Sequence, residues 1–232
     1  MKKISIVLAA LFVSTVSFAQ TADEVIANYV KAIGGSDAIG KIKDMSMTMT
    51  GEIQGQSLEV LIQKKPTNKF LQTVSIVGMG EVQKQVCDGV KAQVGGMQGS
   101  QDITEPEKVK AIAMQSFIVP EANYAAIGAK VTYVGKEKVG GADAHKLEVA
   151  VGEVKMTEFY DVASGLKVRQ VITAETPMGS QTITSDYSDY KDVSGVKFAH
   201  KLNQDLGMAQ LALTATKVQV NTNLADALFE IK

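Results

Sequence analysis

Apolar and polar positions alternate with a period of two along most of the chain. Met45, Met47 and Met49 alternate with Ser46, Thr48 and Thr50, and Leu58, Val60 and Ile62 with Ser57, Glu59 and Gln63. That period predicts strands with one buried and one wet face. Residues 70–77 and 82–87 continue the pattern, and strands resume from 130 to 220. Two turns are built alike, Asp161-Val162-Ala163-Ser164-Gly165-Leu166 and Asp192-Val193-Ser194-Gly195-Val196. In each, Asp can accept hydrogen bonds from the turn backbone, and Gly allows the positive φ that a tight reversal needs. Looser versions stand at Val139-Gly140-Gly141-Ala142-Asp143, at Cys87-Asp88-Gly89-Val90, between Gly51 and Gly55, and at Pro66-Thr67-Asn68. The reading is a long antiparallel meander of the α+β class, mainly β. The spacing varies too much for a stacked repeat.

Helical periodicity precedes the meander and interrupts it once. Thr21-Ala22-Asp23-Glu24 has the form of a capping box. Val25, Ile26, Tyr29, Val30 and Ile33 follow at helical spacing up to Gly34-Gly35, a stop signal. A second short helix is expected over 36–43. Thr104-Glu105-Pro106-Glu107 is expected to cap a mid-chain helix carrying Val109, Ile112, Ala113, Ser116 and Phe117 on one side, ending at Pro120. Such helices must lie on a face of the sheet or cover its open end. Gly95, Gly96, Gly99 and Ser100 read as a loop, and residues 221–229 as a short closing helix ending in Phe229.

Composition narrows the picture. The chain has 232 residues, 45% hydrophobic and 21% charged, enough apolar content for one sizeable core. Lys2-Lys3, the apolar run 4–16 and Ser17-Phe18-Ala19 form a secretory signal peptide with cleavage expected after Ala19. Residues 20–232 are then a single exported domain. Losing two of the 24 basic residues against 25 acidic ones moves the net charge from −1 to −3. Gln20 follows the cut, so the lipid-attachment cysteine is missing. After the leader, no apolar stretch is long enough to span a bilayer as a helix, and no basic stripe suits nucleic acid.

The chemistry of reaction centres is sparse. Cys87 is the sole cysteine, which leaves no intramolecular disulfide and reads as a half-buried thiol at a strand end. His145 and His200 stand apart, without the partners a structural zinc site needs. The nucleophile-elbow, zinc-peptidase and dinucleotide-binding motifs are all missing, and Gly78-Met79-Gly80 is a bend. Asp186, Asp189 and Asp192 lack EF-hand spacing and read as turn carboxylates. No enzyme activity and no cofactor are expected. The methionines past the leader are the remaining unusual feature: soft, adaptable side chains suit changeable apolar contacts.

Several stretches together resemble the outer-membrane lipoprotein carrier superfamily, the LolA-like and LppX-like proteins. They are Ile33-Gly34-Gly35 before the first strand, Gly135-Lys136-Glu137-Lys138-Val139-Gly140-Gly141, and the Tyr160-Asp161 hairpin. Asp186-Tyr187 with Tyr190-Lys191-Asp192-Val193-Ser194-Gly195-Val196-Lys197-Phe198 follows, and the tail Val220-Asn221, Leu224 and Leu228-Phe229 completes the set. The resemblance implies a strongly curved, incomplete β-barrel, a half-barrel whose concave face is covered by the N-terminal and mid-chain helices. It also implies a periplasmic carrier holding lipid or lipoprotein acyl chains, with membrane-anchored donor or acceptor proteins as partners, in outer-membrane lipoprotein sorting. The alternative it carries is an envelope sensor or scaffold that binds a protein partner such as a peptidase. No receptor-contact residue can be carried over.

The apolar members of the alternating strands supply the expected cavity wall: Met45, Met47, Met49, Leu58, Val60, Ile62, Phe70, Val154, Met156, Leu166, Val168, Leu211 and Leu213. The expected helical cover is Ile26, Tyr29, Ile33, Ile112 and Phe117.

Overall fold

The computed structural model describes residues 21–231 except 54, 67, 153, 177, 178 and 208. The leader, its cut after Ala19 and the centre of the 66–68 turn lie outside the described residues. The first six strands are β1 (Met45–Ile53), β2 (Gln56–Lys65), β3 (Lys69–Ile76), β4 (Gly80–Cys87), β5 (Ala92–Gly96) and β6 (Gly99–Ile103). After a helical insertion come β7 (Lys130–Val139), β8 (Ala142–Val151), β9 (Val154–Asp161), β10 (Lys167–Thr176), β11 (Gly179–Val193), β12 (Val196–Asp205) and β13 (Gln210–Val220). Every pairing is antiparallel, in one open sheet ordered β6-β5-β4-β3-β2-β1-β13-β12-β11-β10-β9-β8-β7. Two meanders thus meet at a seam where Met45 faces Val220. The sheet curls without closing, leaving β6 and β7 as free edges. On β7, a register irregularity beside Val134 and the lysines 136 and 138 discourage pairing with another chain.

Helix α1 (Ala22–Ala32) starts at the capping box: the Glu24 N–H donates to Thr21 Oγ1 at 3.2 Å, and the Thr21 N–H to Glu24 Oε2 at 3.0 Å. The two matching turns are its footing. A Cβ on Gly165 would touch Ala32 and the Asn28 carbonyl, and one on Gly34 would lie 2.1 Å from the Gly195 carbonyl oxygen. Gly34 has a φ of 133°, so this close approach excludes any side chain. The Lys197 N–H then donates to the Ile33 carbonyl at 2.7 Å, fixing the helix end to β12.

Several expectations are corrected. The glycine-rich stretch at 95–100 is the β5–β6 hairpin, because ladder hydrogen bonds form without side chains and hide from a pattern of apolar positions. The second helix, α2 (Ser36–Gly40), stops short of residue 43. Helix α3 (Pro106–Ala113) has Glu105, not Thr104, at its N-cap, with Pro106 opening the first turn and no side-chain cap. The closing helix is a 3-10 turn, Asp226–Phe229, entered through Asn221 and Asn223 at φ of 57° and 58°. Cys87 is fully buried rather than half-buried, and burial pushes its thiol pKa up.

Helices α1 and α3 cover one face of the sheet, the inner face. The main core joins Val25, Tyr29 and Ile33 of α1 to Met45, Met47, Met49, Leu58 and Val60. A second cluster packs Val109, Ile112 and Ala113 of α3 on Phe70, Cys87 and Ala92. A third lies on the opposite, outer face, where Leu71 and Val86 receive Phe229 from the C-terminal segment. Asp44 holds that segment: its carboxylate accepts from Thr222 N (2.7 Å), Thr222 Oγ1 (3.0 Å), Asn223 N (2.9 Å) and Leu224 N (3.4 Å). Burial of Asp44 opposes ionisation, but these donors prevail and hold its pKa below the usual value.

Candidate functional site: a covered apolar face with a charged centre

Most of the expected wall and cover residues come together on the inner face. Tyr29, Ile33, Met45, Met47, Met49, Leu58, Val60, Phe70, Ile112 and Leu213 are buried. Ile26, Ile62, Met156, Leu166 and Leu211 are partly buried against the same core. Phe117 and Val168 are partly buried and stand outside these clusters. Val154 lines a cavity of about 120 Å³ beside α3, with Met114 and Val151. A larger cavity of about 370 Å³ opens between α1 and the β9–β10 turn, lined by Asn28, Lys31, His145 and Ser164 among others. The methionine-rich strands are packed, not hollow.

Between α3 and β7 the chain crosses from one free edge of the sheet to the other. This cover segment, 114–129, contains two 3-10 turns, Met114–Ser116 and Pro120–Asn123. Ile118, Val119 and Tyr124 anchor it in the main core. Beneath it lies a cluster of charged and phenolic groups, whose charged members were not among the residues expected on this face. Glu158 of β9 is 0% exposed and Glu121 of the cover segment 3%. Lys167 of β10 forms an ion pair with Glu121 and approaches Glu158 at 3.4 Å.

Every oxygen of Glu158 is satisfied. It accepts from Tyr124 Oη (2.9 Å), Tyr160 Oη (2.6 Å) and Gln170 Nε2 (3.0 Å). The Tyr187 ring lies 5.1 Å from Lys167 Nζ, and Tyr190 Oη donates to the Lys167 carbonyl at 2.8 Å. Lys64 of β2 completes the group by donating to the Phe117 carbonyl at 3.3 Å. Burial works to lower the Lys167 pKa, but Glu121 and then Glu158 outweigh it and leave it well above the ordinary lysine value. Burial, reinforced by the neighbouring carboxylates, raises the pKa of Tyr124 and Tyr160. These phenols stay protonated as donors.

A bulge explains why Lys167 is inside. Lys167 pairs with Tyr160 and Arg169 with Phe159, so Val168 is the extra residue and the alternation shifts by one. Val168, expected on the wall, gives its place to Lys167. Beyond the bulge, Arg169 grips Asp186 through two bonds of 2.5 and 2.8 Å, so Asp186 is an ion-pair partner in a strand rather than a turn carboxylate. Asp161 and Asp192 act as read: Asp161 Oδ1 accepts from Ser164 N at 2.7 Å and Asp192 Oδ1 from Gly195 N at 3.1 Å. His145 is buried next to the Tyr133 hydroxyl, and no carboxylate–histidine–thiol group able to hold a metal occurs among the described residues.

Lys64 gives the cluster a pH signature. Burial brings its pKa down to about 8, with Glu121 opposing the shift and Lys167 adding to it. A lysine depressed in the fold costs stability while protonated. That cost is full below about 8 and disappears as pH rises toward the unfolded value of roughly 10.4. Relative to Lys64→Met, the wild type is expected to gain roughly 2 kcal/mol between pH 7 and pH 9.5. Paired urea titrations at the two pH values measure this, and a difference independent of pH rules the assignment out.

No protein-family model matches the chain, and no curated protein matches it in sequence. Solved structures do match. A LolA superfamily protein from Nitrosomonas europaea superposes with a TM-score of 0.59 at 12% identity, covering 92% of this chain and 99% of that one. A DUF1329 family protein from Desulfovibrio piger gives 0.56 at 12% identity, over 90% and 97%. A putative outer membrane lipoprotein-sorting protein domain from Vibrio parahaemolyticus gives 0.54 at 11% identity, over 89% and 95%. Among the described residues no helix is long and apolar enough to cross a membrane. At such low identity the likeness is one of architecture, and the chain has the LolA-like fold: an open, curled antiparallel sheet with helices on its inner face.

Proposed function

We propose that this protein is a non-catalytic periplasmic carrier that holds lipid or lipoprotein acyl chains against the inner face of the sheet. The observation that carries the reading is how that face is covered. Met45, Met47, Met49, Leu58 and Val60 lie under helices and a 3-10 segment that pair with no strand. The end of α1 is fixed to β12 by a backbone bond. Among the described residues the 114–129 segment is held to the sheet by packing and side-chain bonds, so that segment can lift without breaking the sheet. Methionines then repack around flexible chains more readily than branched side chains do. The apolar residues expected from the sequence, all but the bulged Val168, are the proposed contact set, reached after the cover moves.

A second reading, a sensor or scaffold for a protein partner, is favoured by the packed state of the same face. Native mass spectrometry of protein taken from a bacterial periplasm separates the two. A carrier retains lipid or acylated peptide at up to one equivalent, and Met47→Glu removes it, because an unpaired charge on that face is costly. An empty wild-type protein that captures a partner chain instead overturns the carrier reading.

A further inference from the structure

The charged cluster divides unequally between sheet and cover. Lys64, Lys167 and Glu158 belong to strands, whereas Glu121 arrives on the cover segment together with Tyr124 and the Phe117 carbonyl. Closed, two lysines face two carboxylates and the formal charges cancel. With the cover lifted, the sheet alone presents two lysines and one carboxylate. Tyr160 and Gln170, which satisfy Glu158, are also strand residues and stay behind. The excess positive charge then sits at Lys167 and Lys64, at strand ends of an otherwise apolar face. The cover is imperfectly fitted at this point, since Ser116 Oγ, one residue before Phe117, is fully buried with no protein partner. A buried hydroxyl left in that state is costly.

We propose that the inner face is selective for amphiphiles with an anionic headgroup, a carboxylate or a phosphate, which takes the place of the Glu121 carboxylate on Lys167. The side chain of Glu121 is thus an internal surrogate for the ligand. An apolar chain lies along the methionine-lined strands while the headgroup neutralises the lysine pair. A neutral headgroup leaves Lys167 and Lys64 with a single carboxylate between them, in a setting where unpaired charge is strongly disfavoured. This inference rests on the carrier reading and adds the chemistry of the headgroup to it.

The test is competition of dodecanoate, dodecyl phosphate and dodecanol, each below its micelle concentration, against a fluorescent acyl probe on the purified full-length protein. Both anions are expected to bind at least 10-fold more tightly than the alcohol, and their order tells carboxylate from phosphate. In Glu121→Gln, which keeps Glu158 as a partner for Lys167, the internal competitor is gone. The anions are expected to gain about 10-fold, while the alcohol is unchanged. In Lys167→Gln, provided its circular dichroism matches the wild type, the preference for anions is lost. Equal binding of alcohol and anions, or a Glu121→Gln protein with unaltered anion affinity, overturns the headgroup assignment and leaves the carrier reading standing. If none of the three displaces the probe or binds directly by calorimetry, both fall.

Discussion

Replacing Lys167 with alanine is expected to remove about 3–5 kcal/mol of folding stability, out of a total of roughly 5–15 for an ordinary domain. The loss comes less from the attraction given up than from what stays behind. Glu121 and Glu158, at 3% and 0% exposure, would face each other with no cation between them except the more distant Lys64. A carboxylate shut away from water without its counter-ion has neither hydration nor charge compensation. The exposed pair Lys138–Asp143 is the natural control: its 2.9 Å separation is as good, but both side chains are more than 60% exposed. Lys138→Ala should therefore cost less than about 1 kcal/mol. Urea unfolding of both variants at neutral pH makes the comparison. Equal small losses would show that the cluster is hydrated and its geometry unimportant.

Phe229→Ala is expected to cost a comparable amount, about 3–5 kcal/mol, at the other face of the sheet. The ring is completely buried between Leu71 and Val86, with Leu224 and Ile231 closing over it. Residues 222–226 are tethered by Asp44 and by ion pairs of Asp226 with Lys65 (2.5 Å) and Lys69 (2.9 Å), so the backbone cannot collapse freely into the void. A cavity that cannot collapse carries the larger cost. Since this cluster lies on the outer face, acyl binding at the inner face should persist in the folded fraction. A melt unchanged within about 1 kcal/mol would mean that the C-terminal segment adds little to the fold.

The sheet was legible because each of its determinants is local. Alternation around Met47 and Val60, Asp-x-x-Ser-Gly at 161–165 and the capping box at Thr21 each act within a few residues, and all sit where the pattern places them. Part of the charged centre was legible too. Lys64 continues the inward set Leu58, Val60, Ile62, and Glu158 lies between Met156 and Tyr160, so period two extended by one step points both inward. Lys167 was not, because the bulge at Val168 changes the face and no sequence rule announces it. Glu121 was hidden for a different reason: its segment has no period, and its partner lies 46 positions away. The Asp44 clasp to Thr222 likewise depends on residues 178 apart. The β5–β6 hairpin escaped because glycine-rich edge strands have almost no apolar face to reveal them.

The seam between β1 and β13 sets the order in which the molecule can be made. Each half of the sheet is a chain of neighbouring hairpins and can zip from its own turns, but Glu52 has to wait for Ala212. Contacts so distant in sequence form late and slow folding. A chain emerging from the ribosome at about 5–20 residues per second leaves the nine-residue β1 bare along one side for roughly 10–30 s. Throughout that interval the three methionines of β1 and a row of unpaired backbone groups are open to other chains. The chain is accordingly most prone to aggregate before β13 has paired with β1.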